Sequence, residues 1–288
     1  SPPSPEEIRS RMQEYADVFR LDGDYPRFMQ DSTAADAESK GLAALLIESP
    51  GDNTIKLNTD HFIKRGMVEG LCPACAASAL LTLQINAPSG GQGHRTSVRG
   101  GGPLSTILLD TTLWRTVWLN VLPADTFNGY GGANASKTAR ADMFPWMGQT
   151  RISSSDGRQT TPEDTHPLHV YWATPRRIHL DTGATTTGEC SICGAASDKL
   201  ITTYRTKNYG FDYKGPWLHP LSPYTQNKDD EHLPEHGQPG GVRYKHWLGF
   251  MQPTEVKKQA FVVSYFLGER QGGLSRQHID TSLRLFAF

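Results

Sequence analysis

Apolar residues along this 288-residue chain come in short bursts rather than long runs, and the spacing within each burst predicts the elements. Ile8, Met12, Tyr15 and Phe19 recur at helical spacing behind Ser4-Pro5-Glu6-Glu7. That start has a hydroxyl to cap the helix, a proline in its first turn and acids beside the positive end of the dipole. A second helical stretch is expected over residues 34–48, ended by Pro50-Gly51-Asp52-Asn53, and a third over 76–84, stopped at Asn86-Ala87-Pro88. Residues 104–109 predict a strand, and 113–122 a helix or a buried strand. Short strands are expected at 168–172 and 177–180 around Pro175, then a hairpin over 200–213 with Asn208 near its tip. Residues 259–267 predict a buried helix or strand, 268–273 a loop, and 274–288 a final element. Residues 123–165 and 226–240, rich in turn formers, read as flexible loops. The class is mixed α/β (α+β), loop-rich, and without a detectable repeat.

Charge narrows the functions. The formal net charge is −1, whereas a nucleic-acid module working alone is usually basic. Any contact with nucleic acid must therefore be a local patch or a duty shared with partners. The longest apolar stretch, residues 76–83, is too short to span a bilayer, so no membrane partner is expected. The chain opens on Ser1 and closes on an apolar run, Leu283 to Phe288, which reads as an excerpt from a longer protein.

The chemistry lies first in the cysteines. All four fall in two Cys-x-x-Cys pairs, Cys72/Cys75 and Cys190/Cys193. Two residues between cysteines turn both sulfurs toward one point, and two such pairs supply the tetrahedral thiolate set of a structural zinc. Two readings stand beside it: a pair of local disulfides, disfavoured by strain and by the absence of a visible secretory signal, and redox dithiols. The last gives the alternative function, a zinc-dependent or redox enzyme. No nucleotide-binding P-loop, HExxH, Gly-x-Ser-x-Gly elbow or deaminase His-x-Glu accompanies them. His166, His169 and His179 read as core or surface histidines, and His232 and His236 as solvated. Six glycines lie between Gly90 and Gly102, with Arg95, Arg99 and His94 among them. They form either a mobile linker or a backbone surface that a ligand approaches closely because no side chains intervene.

The order of motifs carries a resemblance. Leu71-Cys-Pro-Ala-Cys-Ala-Ala-Ser-Ala-Leu-Leu is followed by Asn86-Ala-Pro-Ser-Gly-Gly-Gln-Gly, Arg99-Gly-Gly-Gly-Pro-Leu-Ser-Thr and Asn120-Val-Leu. Then come Trp172-Ala-Thr-Pro-Arg-Arg-Ile-His-Leu, Cys190-Ser-Ile-Cys-Gly and Trp217-Leu-His-Pro-Leu-Ser-Pro. With Phe28-Met29-Gln30 and Leu267-Gly268-Glu269-Arg270, this series resembles the CasA family, the large subunit of the type I-E CRISPR Cascade complex. The resemblance implies that residues 1–288 are most of an N-terminal PAM-recognition domain, without the family's C-terminal four-helix bundle. It implies a structural zinc on Cys72, Cys75, Cys190 and Cys193, and no catalysis. Its implied partners are double-stranded DNA carrying a protospacer-adjacent motif (PAM), the guide-RNA-containing Cascade subunits and a helicase-nuclease, in a prokaryotic cytoplasm.

Four DNA-contacting segments follow from the same resemblance. The family's first loop matches Phe62, Ile63 and Lys64, and its glycine loop matches Ser89, Gly90, Gly91, Gln92 and Gly93. A lysine finger falls at or next to Asn208, with Lys207 the neighbouring lysine. The wedge that splits the first base pair falls at Gln271, Gly272 and Gly273; the family's glutamine aligns with Gly273, whereas this chain has glutamine at Gln271.

Overall fold

The computed structural model describes residues 3–59, 66–88, 90–154, 157–237, 241, 250–276 and 284–287. Helix α1 (Pro5–Met12) starts as its sequence dictates. Ser4 Oγ accepts from the Glu7 N–H at 3.2 Å, and the Glu7 carboxylate accepts from the Ser4 N–H at 2.7 Å, a reciprocal capping box. The apolar repeat outruns the helix: beyond Met12 the chain tightens into a 3₁₀ turn, Gln13–Phe19. Tyr15 and Phe19 reach the core from that turn, while Met12 stays 57% exposed.

The stretch 34–48 is not a helix. Its chain makes a 3₁₀ turn (Ser32–Ala34), strand β1 (Ser39–Gly41) and a second 3₁₀ turn (Leu42–Leu45), with helix α2 (Asp52–Lys56) beyond. Leu42 and Leu45 are fully buried, so the apolar spacing was real, but tertiary pairing set the backbone. Strand β1 completes a three-stranded antiparallel sheet, ordered β1-β7-β4, against β7 (Thr203–Lys207) and β4 (Arg177–Leu180). Lys40 faces Tyr204, and Ile178 faces Thr206.

Helix α3 (Pro73–Asn86) lies over this sheet and contributes Ala76, Ala79 and Leu80 to a core shared with Met29, Ile178, Leu180 and Ile201. Gln84, also fully buried, makes the interior's main polar clamp. Its side chain accepts from the Arg176 N–H at 3.0 Å and donates to the Arg176 and Met29 carbonyls at 2.8 and 3.3 Å. An amide that satisfies backbone groups on two neighbouring segments fixes the helix against the entrance to β4.

Three further expectations change. Residues 168–172 are helical, with α7 at His169–Trp172, because Leu168, His166 and Pro167 close turn hydrogen bonds there; α4 (Leu113–Leu119), α5 (Ala124–Asn128) and α6 (Arg140–Met143) precede it. The expected 200–213 hairpin is absent. Strand β6 (Ala196–Ile201) pairs with β5 (Thr185–Glu189), β7 turns to β4, and β8 (Asp212–Tyr213) runs parallel to β3 (Gln159–Thr160). Residues 268–273 are helical too, a π turn (Phe266–Arg270) leading into a final helix, Gln271–Arg276. The strand expectations at 104–109 and 177–180 hold, as β2 (Thr106–Leu109) and β4.

Phe144 and Trp146, within 123–165, are buried in an aromatic group with Phe19, Phe28 and Trp172. In the other loop-rich stretch, β9 (Tyr224–Gln226) and β10 (His232–Pro234) pair, and residues 238–240 lie outside the described set. His232 and His236 are half-buried rather than solvated. Among the described residues no helix is long and apolar enough to cross a membrane.

Two core histidines make stability depend on pH. Burial, with the nearby Arg151 charge, lowers His169 to about 3, and burial with Arg99 holds His219 well below the ordinary value. Unfolded histidines titrate near about 6.5. Above that pH their contribution is fully present; below it the unfolded chain takes up protons that the folded chain refuses. Stability should fall with acidification by up to about 1.4 kcal/mol per pH unit for each histidine. Urea denaturation at neutral and mildly acid pH checks this, and His169→Phe should flatten the dependence. A parent slope equal to the variant's would contradict it.

Candidate metal centre and nucleic-acid interface

The cysteine cluster forms where α3 begins. Cys72 occupies the N-cap of α3 with extended backbone, Pro73 starts the first turn, and Cys75 lies within that turn. The partner pair sits on the turn between β5 and β6, where Gly194 takes a positive φ of 71°. Backbone contacts lock the two knuckles together. Leu71 and Ile201 exchange hydrogen bonds at 3.0 and 2.9 Å, the Ser191 N–H donates to the Gly70 carbonyl at 2.9 Å, and Ser191 Oγ accepts from the Glu69 and Gly70 N–H groups.

All four Sγ atoms lie within 4.8 Å of one another, and Cys72 Sγ and Cys193 Sγ, one from each pair, are 3.8 Å apart. Four sulfurs about 2.3 Å from a central zinc would stand about 3.8 Å from each other. All four cysteines are free, and the two pairs make one cluster rather than two separate dithiols. The electrostatics fit a bound cation. Burial, and hydrogen bonding to the other three sulfurs, push the Cys75 thiol up to about 12. Burial also works to raise Cys190, but hydrogen bonds from the backbone of Cys193, Cys72 and Ile192 outweigh it and bring it down to about 6. A site that favours the Cys190 thiolate and resists the Cys75 thiolate needs a cation to hold both ionised together. These residues could hold zinc as a closed tetrathiolate, which supplies cross-linking rather than an open position for chemistry.

The opposite end of α3 carries the glycine loop. Gly90, Gly91 and Gln92 are exposed, and Gly91 and Gly93 have φ of 85° and 75°. Ser89 lies outside the described residues. The loop is fastened to the end of β7. The Tyr209 N–H donates to the Gly93 carbonyl at 2.8 Å, Asn208 Nδ2 donates to the Gln92 carbonyl at 3.1 Å, and Gln92 Nε2 donates to the Tyr209 hydroxyl at 3.3 Å. A Cβ on Gly93 would stand 2.7 Å from Asn208 Cβ. The structure thus brings the glycine loop and the Lys207–Asn208 position into one surface. Their side chains diverge: Lys207 Nζ pairs with Asp36 at 2.5 Å, whereas Asn208 faces the loop.

Gln271, Gly272 and Gly273 form the first turn of the final helix. Among the described residues an added Cβ at Gly272 or Gly273 meets nothing within 4 Å. Arg270 anchors this turn, donating to the carbonyls of Trp118, Leu119 and Val121 at the end of α4. Phe62, Ile63 and Lys64 lie outside the described residues. Two residues that the sequence did not single out belong to the site. Tyr209, at a φ of 64°, closes the loop, and Arg176 sits beneath Gly90 with terminal nitrogens 3.1 and 3.2 Å from where a Cβ would be. The turn after β7 was the available signal for the first; nothing local signals the second.

Fold and site together define a class: a mixed α/β domain in which two Cys-x-x-Cys knuckles clip the start of a helix to a hairpin, and a glycine loop leaves the helix's far end. Similar folds occur in a CRISPR-associated protein of Thermus thermophilus (16% identity, 99% of this chain and 52% of that one, TM-score 0.67). They occur in Cse1 of Acidimicrobium ferrooxidans (16%, 99% and 51%, 0.59), and in a chain of a CRISPR RNA-guided surveillance complex (16%, 99% and 55%, 0.63). This chain spans about half the length of each. The sequence model of the family described as CRISPR-associated protein Cse1 matches residues 1–288, and the chain belongs to that family.

Proposed function

We propose that residues 1–288 form the DNA-reading part of a subunit in an RNA-guided surveillance complex. The subunit recognises the PAM in duplex DNA, starts strand opening, and helps recruit a helicase-nuclease. The observation that carries this reading is the fastening of Gly90–Gly93 to Asn208 and Tyr209, which presents bare backbone on an exposed ridge. Backbone without side chains fits the narrow minor groove. Readout there is chiefly A·T against G·C, so tolerance of several related PAMs is expected. Opening the first base-pair step costs about 1–2 kcal/mol of stacking, within reach of a small wedge such as Gln271–Gly273 supported by groove contacts. Guide RNA pairing then reads the target sequence.

In this reading zinc is structural and the domain catalyses nothing: four thiolates leave no coordination position for a substrate. Its near-neutral charge suits a subunit whose partners carry most of the electrostatics. The test uses the full-length protein in a guide-loaded complex, with duplexes carrying a randomised trinucleotide beside the target. Binding should depend on the trinucleotide, and the dependence should vanish when this subunit is omitted. Binding that ignores the trinucleotide, or that is unchanged without the subunit, would overturn the proposal.

A further inference from the structure

Among the described residues Arg95, Arg176, Arg177 and Lys207 stand around the Gly90–Gly93 loop, and all but Arg176 pair with a carboxylate; Arg99 also lacks a carboxylate, but Ser105, Ser222 and Asn86 take up its guanidinium in the interior. Arg95 pairs with Asp212 at 3.5 Å and also holds Ser153, Arg177 pairs with Asp31 at 2.7 Å, and Lys207 pairs with Asp36. Arg176 is different. Its backbone is clamped by Gln84, and its side chain is half-buried beneath Gly90. Among the described residues its side chain has one hydrogen-bonded partner, the Pro88 carbonyl, which accepts from Nη2, and its buried Nε has none. Among the described residues no carboxylate pairs with it. Burial lowers it to about 10, which still leaves it charged at neutral pH.

Holding a desolvated guanidinium with no counter-charge is costly, and propping one neutral carbonyl does not require a charge at all. The arrangement is favourable once an anion arrives. Gly90 contributes no side chain between the guanidinium and the exposed face of the loop, and the arginine's terminal nitrogens lie directly under it. Resting on the reading of this loop as a duplex-binding surface, we propose that Arg176 is a phosphate-binding residue whose guanidinium takes a backbone phosphate of the DNA that the loop admits. Arginine's fork suits a phosphate oxygen pair, and the contact positions the duplex without reading its sequence.

The test is duplex binding by the guide-loaded complex across a range of salt concentrations, with wild type, Arg176→Gln and Arg176→Lys. Glutamine keeps a donor for the Pro88 carbonyl and removes the charge. It should weaken binding by about tenfold or more, and reduce the slope of log affinity against log salt by about 0.9, the loss of one phosphate contact. Lysine should keep the wild-type slope. An unchanged slope in Arg176→Gln overturns the assignment. Should that variant fail to assemble, Gly90→Ala decides, because its Cβ crowds the guanidinium without touching the charge: reduced affinity with a shallower slope supports the contact, and wild-type behaviour overturns it. Equal wild-type binding to duplexes with and without a PAM would remove the motif-reading function but leave the slope readable. PAM-dependent binding with an unchanged slope removes the arginine alone.

Discussion

Cys190→Ser should cost the protein its metal and its fold together. Cys190 is the most buried of the four cysteines, and backbone groups on two segments, Ile192–Cys193 and Cys72, favour its thiolate by hydrogen bonding. A serine there offers a hard, reluctantly ionised oxygen to a soft site and leaves those groups poorly satisfied. Apparent binding free energies of structural zinc reach about 10–16 kcal/mol, comparable to or larger than the roughly 5–15 kcal/mol that holds a domain folded. The expected result is about one zinc per wild-type chain by metal analysis, and a variant that is metal-poor, aggregation-prone and without a cooperative unfolding transition. The same outcome should follow chelation of the wild type at elevated temperature. A metal-free Cys190→Ser protein melting with the wild type would show that the sulfurs do not staple the fold, and would favour the alternative, redox reading of the cysteines.

The second large effect is expected at Gly93. Its positive φ costs an L-residue about 1–2 kcal/mol, and a branched side chain would also drive Cβ into Asn208. Overpacking of that kind adds about 1–3 kcal/mol, enough to break the Gly93–Tyr209 and Gln92–Asn208 bonds and unseat the loop. Gly93→Val in the full-length protein should therefore abolish duplex binding by the guide-loaded complex while the subunit still co-purifies with its partners. Gly91→Ala makes an instructive contrast: its φ is also positive, but among the described residues the new methyl meets nothing within 4 Å, so the backbone cost is the one expected. Competition binding should rank Gly93→Val well below Gly91→Ala. If Gly93→Val binds duplex as wild type does, the loop is a linker and nothing more.

What the sequence made legible was local. A proline after Cys72, an apolar run and a stop at Asn86-Ala87-Pro88 specify α3 within a few residues, and the two-residue spacing in each cysteine pair specifies a knuckle without reference to the rest of the chain. What it concealed was decided at long range. Leu42 and Leu45 fit a helical period equally well, yet their backbone follows a strand pairing with Thr203–Arg205, far along the chain. His169-Val-Tyr-Trp has the composition of a strand but folds as a helical turn against Phe211 and Tyr213. The glycine loop could be picked out by its composition; that it is bonded to Asn208 and Tyr209 could not. Arg176 was hidden for a subtler reason. Its significance lies in having no acid beside it among the described residues, whereas Arg95, Arg177 and Lys207 nearby do have one.

The same long-range character bears on the chain's synthesis. Cys72 and Cys75 leave the ribosome well before Cys190 and Cys193, and at about 5–20 residues per second the delay is on the order of ten seconds. Throughout that interval the nascent chain displays two thiols that cannot complete a tetrahedral shell. They are open to borrowed ligands, to the wrong ion and to oxidants. Because β6 must arrive to deliver the last two sulfurs and to pair Ile201 with Leu71, the knuckle closes late. With the cluster proposed to hold zinc, metal supply and thiol-protecting conditions during translation should govern the yield of folded protein more than any condition applied after purification.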